Sequence, residues 1–309
     1  MDMTAAVLRG VGDLSLRRVP RPEPGPGEVL LKVEANTICG TDLRIISGAK
    51  TAGVRPGVIM GHEFAGRVAA VGEGVEGVDV GVQATCSIVL SCGRCARCLA
   101  GREHLCESLR LFGYEIDGGM AEYLLVPREA MERGNLVLAP RELEPTTLAL
   151  AEPVSCCLNG ARQFRVRPGD SVAVLGTGPI GLLHVALAKL AGATRIVAVG
   201  RPGRLDPAVV ALHRQALSAA GLPVSFEQGA GRFEELIREV LRLTGGGADV
   251  AVVAVGDPAL ADQALQIAAI GGRVNYFAGF PKGSTALMEP NVIHYRELQV
   301  TGGANARRA

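Results

Sequence analysis

Cys92, Cys95, Cys98 and Cys106 follow one another as C-x2-C-x2-C-x7-C, and this spacing restricts what the chain can fold into more than any other feature. Four thiolates held so close together can close a tetrahedral Zn2+ site with no open position, the signature of a structural metal. Gly93 and Gly101 supply the tight turns such a loop needs. Ordinary buried cysteines or a redox pair would be the alternatives, but strict three-residue steps favour metal. His104 lies in the same loop and, with four thiolates at hand, is expected as a solvated loop residue rather than a ligand. The chain has eight cysteines in 309 residues. In a long chain without a secretory leader, spaced cysteines point to metal or catalysis rather than to disulfides.

The rest of the sequence reads as two domains. Residues 1–150 are β-rich, with short strands predicted at Val29–Glu34 and Gly66–Val71 and an irregular loop over Pro20–Gly27. From 151 to 303, apolar strand-like runs alternate with helical stretches. The strands are Ser171–Leu175, Arg195–Val199, Ala248–Val253 and Gly272–Phe277, with a weaker candidate at Pro223–Phe226. The helices are Ile180–Ala191, Pro207–Ala220, Phe233–Leu243 and Pro258–Ala269. That alternation predicts β-α-β units and a doubly wound parallel sheet. Residues 304–309 read as the truncated start of a return to the first domain. Net charge is +1 and apolar residues make up 48%, so neither a nucleic-acid nor a membrane partner is expected. No apolar run approaches the ~20 residues of a membrane span, and Met1-Asp2-Met3-Thr4 is not a leader. A soluble, cytoplasmic protein is expected.

Ser171–Leu175 runs directly into Gly176-Thr177-Gly178-Pro179-Ile180-Gly181, which opens an apolar helix. A G-x-G-x-x-G between a strand and a helix is a dinucleotide fingerprint. Gly176 makes the turn, Gly178 lets the backbone approach the pyrophosphate, and Gly181 lets helix and strand pack closely, while Pro179 suits the first helical turn. The next strand ends in Gly200-Arg201-Pro202-Gly203-Arg204. An NAD site has a carboxylate at that strand end to accept the ribose 2′-hydroxyl. Gly200 offers none, and Arg201 and Arg204 could bind a 2′-phosphate, so NADP is favoured over NAD.

Three further segments carry metal-binding chemistry: Cys39-Gly40-Thr41-Asp42, Gly61-His62-Glu63-Phe64-Ala65-Gly66 and Glu152-Pro153. Singly, each is equally well a buried cysteine, a core histidine or an exposed glutamate, and spacing alone does not link positions 39, 62 and 152.

The motifs in this order resemble the zinc-containing medium-chain dehydrogenase/reductases of the alcohol dehydrogenase superfamily. The Glu-Pro variant is similar to their sorbitol and threonine dehydrogenase branch. The resemblance implies a GroES-like catalytic domain followed by a Rossmann domain, one catalytic and one structural Zn2+, and hydride exchange between a nicotinamide cofactor and a secondary alcohol or polyol, or its ketone. It further implies that Cys39, His62 and Glu152 bind the catalytic zinc, with Glu63 binding directly or exchanging with Glu152. Thr41 would pass the alcohol proton towards solvent. Arg44 departs from relatives that carry histidine there. A homo-oligomer, dimer or tetramer, follows by the same analogy. Two alternatives stay open: an NADPH-dependent ketone reductase of a biosynthetic pathway, and a zinc-stabilised structural or regulatory relative without turnover.

Overall fold

A computed structural model describes residues 1–200, the backbone of 224–228, and residues 233–303 and 305–306. Arg201, Arg204, the helix expected at Pro207–Ala220 and most of the stretch between Arg201 and Arg232 lie outside the described residues. The chain divides into two compact units, Met1–Ser155 with Asn305–Ala309, and Cys156–Ala304. Among the described residues no helix is long and apolar enough to cross a membrane.

The first unit is assembled from short antiparallel strands. β1 (Asp2–Gly10) pairs with β2 (Asp13–Pro20) and β4 (Val58–Ile59). β3 (Val29–Thr37), β5 (Glu63–Val71), β6 (Gln83–Cys86), β9 (Tyr123–Val126) and β10 (Leu136–Leu138) form a five-stranded sheet in the order β10-β6-β5-β3-β9. Its core is Leu31, Phe64, Val68, Phe112 and Leu124. β7 (Val89–Leu90) and β8 (Arg110–Leu111) pair at the two ends of the cysteine loop and close its base. Helices here are short: α1 (Gly40–Ile46), α2 (Ala96–Leu99), α3 (Arg128–Glu132) and α4 (Pro145–Ala149). α5 (Ala151–Phe164) carries the chain into the second unit.

The second unit is a six-stranded parallel sheet. Its strands are β11 (Ser171–Leu175), β12 (Arg195–Gly200), β13 (Val224–Gln228), β14 (Ala248–Val253), β15 (Ala268–Tyr276) and β16 (Gln299–Gly302), in the order β13-β12-β11-β14-β15-β16. The described helices between them are α6 (Pro179–Leu190), α7 (Phe233–Thr244), α8 (Leu260–Gln266) and α9 (Pro290–Tyr295). Every residue of β11 is buried, as befits a parallel strand covered on both faces. The chain steps outward from β11 to β13, then returns to lay β14 on the other side of β11. β11 is therefore the topological switch point, and the crevice at its carboxyl end is where open parallel sheets bind ligands.

Two expected elements are corrected. The helix expected over Pro258–Ala269 covers only Leu260–Gln266, and the strand expected from Gly272 begins at Ala268. The Ala248 N–H donates to the Ile267 carbonyl at 2.8 Å, and Ala248 pairs with Ala268. Sheet pairing thus takes the backbone that the helical pattern would have used. The weaker strand is present at Val224–Gln228.

His184 on α6 is buried between Phe164 and Phe277, with ring centroids 6.0 and 4.5 Å away, and its Nε2 has no hydrogen-bond partner. Burial alone lowers its pKa from 6.5 to about 4. The unfolded chain therefore binds a proton that the folded one refuses. The stability due to neutral His184 is complete above pH 6.5 and is lost as the pH falls towards 4. Between pH 7 and pH 5 the loss should be on the order of 1–2 kcal/mol. Urea midpoints of wild type and His184→Leu at both pH values test this: the variant should lose clearly less stability on acidification, and parallel losses would refute it.

Candidate functional site

The cysteine loop brings four sulfurs to one point. Cys95 Sγ lies 3.5 Å from Cys98 Sγ and 4.0 Å from Cys106 Sγ, and Cys92 Sγ lies 4.0 Å from Cys98 Sγ. A disulfide would need about 2 Å. A Zn–S bond of about 2.3 Å places tetrahedral sulfurs about 3.8 Å apart, so the observed edges suit a zinc ion. The backbone is also arranged for negative sulfur. The Cys92 and Ser108 N–H groups donate to Cys106 Sγ at 3.3 and 3.4 Å. Backbone N–H groups of Arg94 and Cys95 hold the Cys92 thiol below its ordinary value, and those of Glu107 and Cys98 bring Cys95 down to about 6. Desolvation and then the neighbouring Cys95 push Cys98 up, since further negative charge beside a thiolate is costly. A divalent cation would remove that conflict. His104, expected as solvated, is buried in the one-turn 3-10 helix Glu103–Leu105.

A second donor group forms where α1 meets the start of β5. One ligand atom each from Cys39, His62 and Glu63 lies within 4.8 Å of the others. Cys39 is the N-cap of α1, while His62 and Glu63 enter β5, both buried. Glu63 faces Thr37 in the β3–β5 register, and the Thr37 hydroxyl donates to its carboxylate. Asp42, with no exposed surface, ties the other two donors together. Its Oδ2 accepts the Cys39 N–H at 2.9 Å, and its Oδ1 lies 3.2 Å from His62 Nδ1. That contact leaves Nε2 of His62 as the nitrogen for a metal. Burial opposes charge on His62, but Asp42 and Cys39 outweigh it and raise its pKa to about 10. A metal entering here must displace that proton.

Thr41 follows Cys39 by two residues in the first turn of α1 and is half-buried. Glu152 stands in the first turn of α5 and outside the three-residue donor group. Asp42 and Thr37 carry no role in the sequence reading. Asp42 had a signal, a carboxylate three residues after a ligand at a helix start. Thr37 had none, because its place depends on strand register.

In the second unit, Gly176 turns the chain with φ +118°, and its N–H donates to the Val199 carbonyl at 2.8 Å. A Cβ on Gly181 would stand 1.8 Å from the Gly176 carbonyl oxygen, so helix and strand meet as closely as only glycine permits. Gly178 caps α6, Pro179 is its first residue and Ile180 follows half-buried. A Cβ on Gly178 would meet nothing within 4 Å. The α6 N-terminus therefore opens on free space, which suits an anionic ligand. Gly200 ends β12, beside β11.

Fold and donor sets together define a zinc-containing, dinucleotide-dependent oxidoreductase. Residues 25–134 match the alcohol dehydrogenase GroES-like domain and residues 179–307 match the zinc-binding dehydrogenase domain. The chain belongs to this zinc-binding alcohol dehydrogenase family. It is 36% identical over 290 residues to an L-threonine 3-dehydrogenase of Pyrococcus furiosus, covering 93% of this chain and 78% of that protein. A structure described as a zinc-binding dehydrogenase from Sinorhizobium meliloti bound to NADP superposes with a TM-score of 0.87 at 36% identity, covering 99% of this chain and 85% of that one. The 2R,3R-butanediol dehydrogenase of Bacillus subtilis superposes with a TM-score of 0.81 at 31% identity, covering 99% and 85%.

Because Asp42 orients His62 and anchors Cys39, Asp42→Asn should weaken metal retention by about 10- to 100-fold. Competition with a chromogenic chelator measures this, and unchanged retention would remove Asp42 from the site. Cys95→Ala should instead lower the thermal midpoint, since a structural zinc contributes directly to folding.

Proposed function

We propose that this protein oxidises a secondary alcohol, or reduces the matching ketone, with NADP preferred over NAD and two zinc ions per chain. The observation that carries the reading is the convergence of Cys39, His62 and Glu63 around one point, with His62 oriented by a buried carboxylate. A closed four-sulfur set and an open three-donor set are the donor pattern of one structural and one catalytic zinc. When bound, zinc lowers the pKa of a hydroxyl at its open position, and the nicotinamide carries the hydride.

The residues of this chain have distinct tasks in that reading. Cys39 and His62 hold the catalytic metal, Glu63 supplies the third donor, and Glu152 is the carboxylate that exchanges with it. The Thr37 hydroxyl steadies Glu63. Thr41 takes the substrate proton towards solvent. Gly176, Gly178, Pro179, Ile180 and Gly181 seat the pyrophosphate at the start of α6. Gly200, with Arg201 and Arg204 beyond the described residues, selects the 2′-phosphate. A dimer or tetramer is proposed by analogy with the family.

The relatives named for L-threonine and 2R,3R-butanediol point to a secondary alcohol with a polar group on the neighbouring carbon. A panel of such alcohols and their ketones, followed by nicotinamide absorbance with NADP and NAD side by side, tests activity and direction together. Metal analysis of the purified chain should give close to two zinc, and a mild chelator should remove the open-site ion first. A single zinc would favour the non-catalytic alternative. Cys39→Ala should abolish turnover in a folded protein. Thr41→Ala should lower turnover by roughly 10²- to 10⁴-fold with zinc retained, and Thr41→Ser should keep much of it. Wild-type rates in Thr41→Ala would exclude that hydroxyl from proton transfer.

A further inference from the structure

Gly200 ends the strand whose last residue faces the adenosine ribose in dinucleotide-binding sheets. A Cβ built on it would stand 2.0 Å from Thr177 Oγ1, 2.9 Å from Thr177 Cγ2 and 3.0 Å from Thr177 Cβ. Thr177 is the first variable residue of the glycine motif and is buried, at 8% exposure. Turning its side chain about χ1 exchanges the hydroxyl and the methyl but leaves its Cβ where it is, and a β-branched side chain has few rotamers to choose from. The backbone gives little room either. Leu175 pairs with Val199, and the Gly176 N–H donates to the Val199 carbonyl at 2.8 Å, so the two strand ends are clamped side by side.

We infer that Thr177 is a specificity-determining residue: its side chain occupies the space from which a carboxylate at position 200 would have to grow. The inference rests on the proposed reading that the end of β12 faces the 2′ position of the cofactor. Gly200 is then one half of a packed pair, and substituting it alone does not install an NAD site. Gly200→Asp on its own forces Thr177 and the glycine turn apart, disturbing the pyrophosphate seat before any 2′-hydroxyl is bound. Thr177→Ala removes the two atoms nearest to the new side chain and leaves one 3.0 Å contact that a shift of a few tenths of an ångström relieves. Only the double substitution gives a carboxylate both room and the correct backbone beneath it.

The test is a double-substitution cycle on the full chain with two readouts. The first, taken without cofactor, is the thermal midpoint of wild type, Thr177→Ala, Gly200→Ala and the pair. Gly200→Ala should lower the midpoint by several degrees, and adding Thr177→Ala should restore most of that loss, a non-additivity expected of touching side chains. Losses that simply add, or a Gly200→Ala protein as stable as wild type, overturn the inference. Alanine carries no charge, so this arm stands even if an aspartate variant does not fold.

The second readout is the dissociation constants for NADP and NAD by fluorescence titration. Gly200→Asp alone should lose NADP without gaining NAD. Thr177→Ala/Gly200→Asp should gain NAD affinity and lose NADP affinity by roughly 10-fold or more each, through the new acceptor and the like charge. A single Gly200→Asp that already binds NAD tightly also overturns the inference. Midpoint coupling in a wild type that binds both dinucleotides equally, with a double variant that shifts neither, identifies the cofactor reading as what failed. In that outcome the contact is packing only, and Thr177 has no part in specificity.

Discussion

A carboxylate without exposed surface is tolerated inside a protein when it is hydrogen-bonded or paired with an opposite charge, because an uncompensated buried charge is costly. Asp42 is such a group, and the candidate catalytic site is arranged around it. One oxygen takes the N–H of Cys39, which caps α1, and the other lies against the imidazole of His62, just ahead of β5. Two donors from separate elements are thereby tied through one side chain. Glu63 is set independently, by its cross-strand partner Thr37. The result is a donor set whose imidazole lies beside a buried carboxylate and whose own carboxylate has a hydroxyl beside it. These outer contacts fix ligand orientation in metal sites generally.

The cysteine loop solves a related problem with backbone instead of side chains. Its sulfurs all lie within 4.8 Å of one another, three of the pairs at 3.5 to 4.0 Å, too far for disulfides and close enough for thiolates to repel one another. N–H groups directed at Cys92 and Cys95 favour negative sulfur there, while burial and the neighbouring Cys95 push the Cys98 thiol up. The β7–β8 ribbon brings the loop ends together, so the metal and the ribbon stabilise the same closure. In the second unit the constraint is steric. Gly181 and Gly200 are points where backbone meets backbone or a buried threonine more closely than any Cβ allows, and Gly176 holds a φ of +118°. The space in front of Gly178 stays open by contrast.

Much of this was legible in the sequence because the signals were local. The run from Ser171 to Leu175 is apolar and rich in β-branched residues, and it is a strand over those same residues. The four cysteines needed only their spacing. The helix over Pro258–Ala269 was overestimated because apolar periodicity carries no information about which backbone groups a neighbouring strand will take, and β14 takes Ile267 and Ala268. His104 was expected in solvent because composition cannot report how a turn folds back.

What the sequence determined by itself was the fold class, the closed sulfur site and the glycine motif, since each follows from residue types at fixed short separations. Tertiary structure decided which distant residues meet. It placed Cys39 beside His62 and Glu63, and it left Glu152 outside that group in the first turn of α5. It gave Thr37 and Asp42 their partners and set Thr177 against Gly200. Apart from Asp42 capping Cys39 three residues away, none of these pairings has a local signature. Each depends on strand register and on the packing of buried side chains, and those are properties of the folded chain as a whole.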